Sequence, residues 1–441
     1  MTFTIVLQFL VVLAAIWMGA RSSGVGLGLW GAVGLLVLVA GFGINPTSPP
    51  IDVMLIILAV IMAASVMEAA GGIDFLVRIA ERIIRANPKY VTIVAPLTTW
   101  TFTFVAGTGH IVYPLLPVIY ETAHRSGIRP ERPMAVATIA SQQAITASPV
   151  AAATAAMIGL FADKGIAHWG LAQVLMICVP ATLTGVVAAA IVSMFVGKDL
   201  KDDPEYQARL AAGQIPAPQA DTERAPLQPG AKLSAFIFLT GVALVVLFGF
   251  FPSLRQLPGA KSPLAMPLVI EILMMSVAAI MLLLTKVPVD EVPKTATLRA
   301  GVVAVIGIFG LAWLGDSFIA ANKDVIVPAI GDWAKVAPWT FAFGLFLASV
   351  LLYSQAATTR ALMPLGIALG IPPQFLIAMF PSVNGYFFIP TYGSLIAAIN
   401  FDLSGTTKIG KYVLNHSFMI PGLVATSVAV FTGLLIAQAI F

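Results

Sequence analysis

Two runs of equal length, GTGHIVYPLLP at Gly107 to Pro117 and SQAATTRALMP at Ser354 to Pro364, place glycine, hydroxyl, amide and ionisable side chains inside otherwise apolar sequence. Each is followed by a second interrupted run: SQQAITASP at Ser141 to Pro149 and SVNGYFFIP at Ser382 to Pro390, each with a serine and a proline eight positions apart. Glycine and proline weaken or break a helix and leave backbone groups unpaired. In lipid that is tolerated only around a protected polar cavity. A helix beginning in mid-membrane presents free N–H groups and the positive end of its dipole, which suits a carboxylate, while unwound carbonyls suit a small cation. Two such sites facing each other would clasp an anion charged at both ends, and a small dicarboxylate is the natural guest. The candidate donors are Gly107, Thr108, Gly109 and His110 at the first tip and Ser354, Gln355, Thr358, Thr359 and Arg360 at the second. Ser141, Gln142, Ser382, Asn384 and Thr391 would contribute from the second pair of runs.

Several of these side chains have an ordinary alternative. His110 either meets substrate or carries a proton, or pairs with a carbonyl freed by the break. Arg360 either meets a carboxylate, as an intramembrane arginine does by default, or forms a structural pair with Asp316 or Glu68. Those two acids either hold a coupling cation or sit at an interface beside glycine turns. Tyr113 and Tyr386 face the cavity or satisfy backbone groups. The serine, threonine and glutamine clusters also suit helix packing. Lys408 and Lys411 read as cytoplasmic anchors, and Asn415 and His416 as helix caps or bridges.

The elements that must position these residues follow from composition. Of 441 residues, 59% are hydrophobic and 10% charged, against roughly 25% charged in a soluble chain. Apolar runs of about 20 residues recur along the whole length, long enough to cross a hydrocarbon core. The expected fold class is an all-α polytopic membrane protein. Met1 to Gly19 lacks a basic start and runs into a second apolar segment, as a retained first span does. The single cysteine, Cys178, sits in an apolar helix pattern, which excludes a disulfide framework and points to packing. The net charge of +4 is spread over loops, where lysine and arginine set orientation; no nucleic-acid partner is implied, and no cofactor or metal motif is present. A serine elbow, HExxH or paired catalytic acids are lacking, which speaks against an enzyme. The absence of a filter-like element or four-fold repeat speaks against a channel.

Spans are expected near 4–19, 24–43 and 51–69. An amphipathic helix over 73–87 follows, lying at the membrane surface with Ile73, Leu76, Ile79, Ala80, Ile83 and Ile84 on one face. A re-entrant hairpin covers about 90–123, because both its flanks are basic and the positive-inside rule returns them to the cytoplasm. A broken helix at about 133–160 and a span at 169–196 close a first unit, 1–196. The hydrophilic stretch 197–231 reads as a cytoplasmic linker with a short helix near 205–212. The second unit, 232–441, carries spans near 232–251, 264–284 and 298–320, a short amphipathic segment at 324–336, a hairpin at about 338–369, a broken helix at about 372–400 and a last span at 412–441. About five crossings per unit make the second copy inverted relative to the first, and interrupted helices at matching places in inverted repeats point to a secondary transporter site. Both termini then fall outside the cytoplasm.

The residues also resemble a known family, the anaerobic C4-dicarboxylate transporters called Dcu. The likeness rests on IDVM at Ile51 to Met54, NPKYVTIVAP at Asn87 to Pro96, GTGHIVY at Gly107 to Tyr113 and IRPERPMA at Ile128 to Ala135. It continues through GKDL at Gly197 to Leu200, SGTTKIGKYVLNHSF at Ser404 to Phe418 and Pro421-Gly422. The resemblance implies exchange or uptake of fumarate, succinate, malate and aspartate across a bacterial inner membrane, two re-entrant hairpins, an elevator-like movement and, by analogy, a homodimer. Antiport is the expected mode; sodium- or proton-coupled symport is the alternative. In PTYGSLIAAI, Pro390 to Ile399, this chain carries Gly393 and Leu395 where some relatives carry a proline and an acid, and Arg360 lies outside the shared pattern.

Overall fold

The computed structural model describes residues 3–22, 24–166, 168–215, 226–260, 262–352, 354–412 and 414–441; for Ala20 and residues 326–336 it describes the backbone alone. The first half contains α1 (Phe3–Ser22), α2 (Gly26–Phe42), α3 (Ile51–Ala69), the amphipathic α4 (Gly72–Ala86), α5 (Val91–Ala106), α6 (Val112–Arg125), α7 (Glu131–Gln143), α8 (Ala152–Asp163) and α9 (Leu171–Ser193). The linker holds one short helix, α10 (Pro204–Ala211), started by Asp203, whose carboxylate accepts the Glu205 and Tyr206 N–H groups. The second half contains α11 (Ala231–Phe250), α12 (Met266–Thr285), α13 (Ala296–Gly307), α14 (Trp313–Val336), α15 (Phe341–Leu352), α16 (Gln355–Ala368), α17 (Pro373–Met379), α18 (Gly393–Phe401) and α19 (Met419–Ile440).

Six stretches among the described residues are long and apolar enough to cross a membrane: α3, α9, α11, α12, Ala296–Val325 and α19. Shorter apolar helices, α1 and α2 among them, accompany these. Both expected breaks are present. Between α7 and α8 the chain makes a 3₁₀ turn at Ala144–Thr146 and then leaves helical geometry; between α17 and α18 it runs as 3₁₀ over Phe380–Phe387. Contacting helix pairs, α5–α6 and α15–α16, stand where the two hairpins are expected.

Two expectations are corrected. The segment at 324–336 is the continuation of α14, joined to α13 through a π-helical turn at Ile308–Ala312. Its amphipathic character lies outside the described side chains. That turn exists because α2 crosses it at backbone contact: a Cβ on Gly28, Gly31 or Gly310 would run into the opposing main chain. A widened turn displaces the backbone locally, and no periodicity in side-chain type reports it. On α4 the buried stripe is Leu76, Val77, Ala80, Glu81 and Ile84, while Ile83 is 40% exposed. The helix packs on α5, α6 and α11, so its face is set by protein neighbours as well as by a surface.

The packing is reciprocal between the halves. The first arm of each hairpin lies on its own half's broken helix, α5 on α7 and α15 on the Phe380–Phe387 turn. The second arm lies on the other half's, α16 on α8 and α6 on α18. The long helices α9 and α19 pack together through small residues, with Gly185 against the Ala425 carbonyl, as close helix crossing in lipid requires. Cys178 is fully buried on α9 with its Sγ 3.5 Å from the Ile377 carbonyl, a packing position.

Candidate functional site

The first tip is built by backbone that only particular residues allow. α5 ends at Gly107, whose φ of 71° is left-handed and whose missing Cβ would otherwise lie 2.6 Å from the Val150 carbonyl. Thr108 is extended, and its hydroxyl accepts the His110 N–H at 3.3 Å and lies 3.0 Å from His110 Nδ1. Gly109 sits against the Gln142 amide, and any Cβ there would collide with it. Chain continues through a 3₁₀ turn into α6.

At the second tip Ser354 is the N-cap of α16: extended, with its hydroxyl accepting the Ala357 N–H at 3.2 Å. The next residue, Gln355, ties the halves together. Its Nε2 donates to Gln142 Oε1 at 2.9 Å and to Asn384 Oδ1 at 3.2 Å. Asn384 Nδ2 donates to Gln143 Oε1 at 3.3 Å and to the Pro381 carbonyl at 3.0 Å, and Gln143 Nε2 donates to Thr426 Oγ1 at 2.8 Å. A chain of amides thus runs from the second tip through both broken helices to α19. In a low-dielectric interior such a network holds its members in place, because each unpaired member would be costly.

The two tips line one cavity of about 160 Å³, with Gly107, Thr108, Gly109, His110, Gln142, Ser354 and Gln355 all at its wall. A larger vestibule of about 810 Å³ adjoins it and shares His110, Ala300, Ala304, Ser354, Gln355 and Tyr392. Thr391 lines the vestibule. Among the described residues neither wall carries an aspartate or glutamate, so nothing there repels an anion. The α16 N-terminus brings the positive end of a helix dipole to the wall.

The other candidates lie off the wall. Ser141 and Ser382 donate to the Thr138 and Met379 carbonyls of their own turns, and Thr358 and Thr359 to the Ser354 and Gln355 carbonyls. Asn384 reaches the cavity through Gln355. Arg360 is 2% exposed and paired, with Nη1 3.1 Å from Asp163 Oδ2 and Nη2 3.6 Å from Asp316 Oδ2. Glu68 accepts the N–H groups of Ala296 and Thr297, each at 3.0 Å, and so caps α13. Tyr113 lines the cavity, whereas the Tyr386 hydroxyl donates to the Thr138 carbonyl at 3.4 Å. His416 pairs with backbone at Phe388 and Phe418, and Lys408 with Glu205. Sequence reasoning missed Gln143 and Thr426 as members of the amide chain. Gln143 stands beside Gln142 in an apolar run and was open to discovery; Thr426 is one threonine in an apolar helix and carries no such sign.

A polytopic helical membrane protein whose broken helices and hairpin tips line one cavity, free of carboxylates among the described residues, has the architecture of a membrane transporter. The chain matches the family model described as anaerobic C4-dicarboxylate membrane transporter over residues 4–441, and it belongs to that family. It is 40% identical over 443 residues, 99% of each chain, to the anaerobic C4-dicarboxylate transporter DcuB of Escherichia coli O6:H1. It is 41% identical over 434 residues to the C4-dicarboxylate transporter DcuA of Wolinella succinogenes, covering 98% of this chain and 99% of that one. Among solved structures, the YdaH transporter of Alcanivorax borkumensis superposes with a TM-score of 0.54 at 14% identity, over 92% of this chain and 88% of that one. That likeness is one of fold.

Proposed function

We propose that this protein is a secondary active transporter that exchanges C4-dicarboxylates across a bacterial inner membrane by alternating access. The substrate, of the fumarate, succinate, malate and aspartate type, binds between the two hairpin tips. The observation that carries this is the meeting of Thr108 and Gly109 with Ser354 and Gln355 at one cavity without a carboxylate, although the tips lie some 245 positions apart in sequence. One carboxylate end is received at the Thr108 to His110 turn and the other at the α16 N-terminus, with the Gln142 amide, held in place by Gln355, between them as a charge-assisted donor. The reciprocal packing of α6 on α18 and α16 on α8 supports two inverted halves with re-entrant hairpins. Basic loops in the cytoplasm leave both termini periplasmic. The elevator-like movement and the homodimer rest on the family resemblance.

Counterflow in proteoliposomes tests the reading. External succinate drives efflux of loaded radiolabelled succinate, and no exchange with any C4-dicarboxylate sinks the function. One observation favours cation coupling as a second reading: Asp316, beside Arg360, has a buried Oδ1 without a hydrogen-bond partner. Uptake driven by an imposed sodium or proton gradient into vesicles without internal substrate would establish symport in place of exchange.

A further inference from the structure

The vestibule beside the tip cavity carries one charged lining side chain among the described residues, Arg299 on α13. The guanidinium is exposed and forms no ion pair among the described residues. On the wall it stands with Ala296, Val303 and Gly307, the residues three before, four after and eight after it, which is one face of a helix. That face is held toward the vestibule from both ends: Glu68 caps the N-terminus of α13, and α2 clamps the π-helical turn that follows its C-terminus. The neighbouring positions Ala300 and Ala304 are shared between vestibule and tip cavity. Small residues on this helix therefore form the wall common to the two spaces between the arginine and the tips. An arginine serving as a membrane anchor has no need to face a cavity that leads to a binding site.

Resting on the transporter reading above, we propose that Arg299 is the capture residue for the dianion on the vestibule side. It raises the local concentration of a doubly charged acid at the mouth and passes it to the uncharged donors of the tips. A fixed cation in a concave, low-dielectric mouth accelerates entry of an opposite charge and is screened by salt. With the basic loops at the cytoplasm, this mouth is the cytoplasmic one, so the effect of Arg299 is sided. Arg299 touches substrate on its way to the site, which makes it specificity-determining: a dianion gains more from it than a monoanion does.

The test compares Arg299→Gln and Arg299→Lys with the unaltered chain, using radiolabelled succinate in inside-out membrane vesicles and in intact cells. Arg299→Gln is expected to raise the half-saturation constant for succinate about 3- to 10-fold in inside-out vesicles at low salt. The maximal rate and the half-saturation constant in intact cells stay within about twofold. The difference shrinks as ionic strength rises toward about 1 M, where the Debye length falls to about 3 Å. Arg299→Lys, which keeps the charge, stays close to the unaltered protein. An unchanged half-saturation constant in inside-out vesicles overturns the proposal, and so does an equal loss of maximal rate in both orientations that Lys fails to restore. Failure of the unaltered chain to move any C4 acid overturns the transporter reading itself, an outcome distinct from either.

Discussion

Gln355 and Arg360 lie five positions apart at the start of α16, and the structure uses them in opposite ways. Gln355 places a neutral amide at the cavity wall and shares its N–H groups between Gln142 and Asn384. Arg360 turns its charge into the protein, between Asp163 and Asp316. Replacing Gln355 by alanine unpairs the amide chain that holds Gln142 at the wall; the half-saturation constant for succinate is expected to rise about tenfold, corresponding to a lost hydrogen bond worth about 1.4 kcal/mol. Arg360→Met instead strands the half-buried Asp316 carboxylate and removes the partner of the more exposed Asp163. It is expected to destabilise the purified protein by about 3 kcal/mol, read as a lower melting temperature in detergent, with substrate affinity retained. Weakened binding without lost stability would return Arg360 to the substrate. From residue types alone both polar side chains in this apolar run are candidates for the site. Side-chain direction separates them, and direction depends on which acids the other half of the fold delivers.

At the scale of elements, the linker is held by charge. Arg129 Nε donates to Glu131 Oε2 at 2.5 Å, and its Nη1 to Asp203 and to the Lys198 carbonyl. Arg132 pairs with Asp199 at 2.9 Å, and His124 lies 2.9 Å from the Tyr206 hydroxyl. Burial pushes the Asp203 carboxyl up, but the hydrogen bond from Arg129 and those from the Tyr206 and Glu205 N–H groups outweigh it and hold the group below its ordinary value. Because the docked form holds a depressed carboxyl, its contribution to docking is complete above the ordinary aspartate value of about 3.9 and is lost as pH falls through the lower docked value. A spin label at the exposed Ala211 is therefore expected to stay immobile at neutral pH and gain mobility only below about pH 4. In Asp203→Asn that label is mobile already at pH 7; an immobile label in the variant would refute the clasp. Hairpins and broken helices were legible as elements because glycine and proline mark them. The π-helical turn was not, because it is imposed by α2 crossing at Gly28 and Gly310.

For the whole molecule, the contacts of α16 with α8 and of α6 with α18 fit the proposal of two halves of opposite orientation. Cys178 is fully buried and the only cysteine in the chain, so single-cysteine labelling reads topology directly. Cysteines at the exposed Lys89 and Ser126, the two ends of the first hairpin, are expected to react only from the cytoplasm. Cysteines at the exposed Trp339 and Pro372, the ends of the second, are expected to react only from outside. Opposite-side labelling of Lys89 and Ser126 would mean that α5–α6 crosses the membrane rather than returning.

Sequence by itself determined the class of the molecule and the positions of both breaks, and it marked as candidates the seven residues that meet at the cavity, six at the two tips and Gln142 in the first broken helix. Composition, the period of apolar runs and helix-breaking residues are local properties of a chain, and lipid punishes unpaired backbone strongly enough to make them decisive. Only the tertiary structure decided which polar groups meet: that Gln143 and Thr426 join the amide chain, that Arg360 pairs with Asp163, and that Arg299 lines the vestibule beside the tips. Those outcomes depend on contacts between residues up to 283 positions apart, and no local pattern of residue types encodes a partner delivered by another helix.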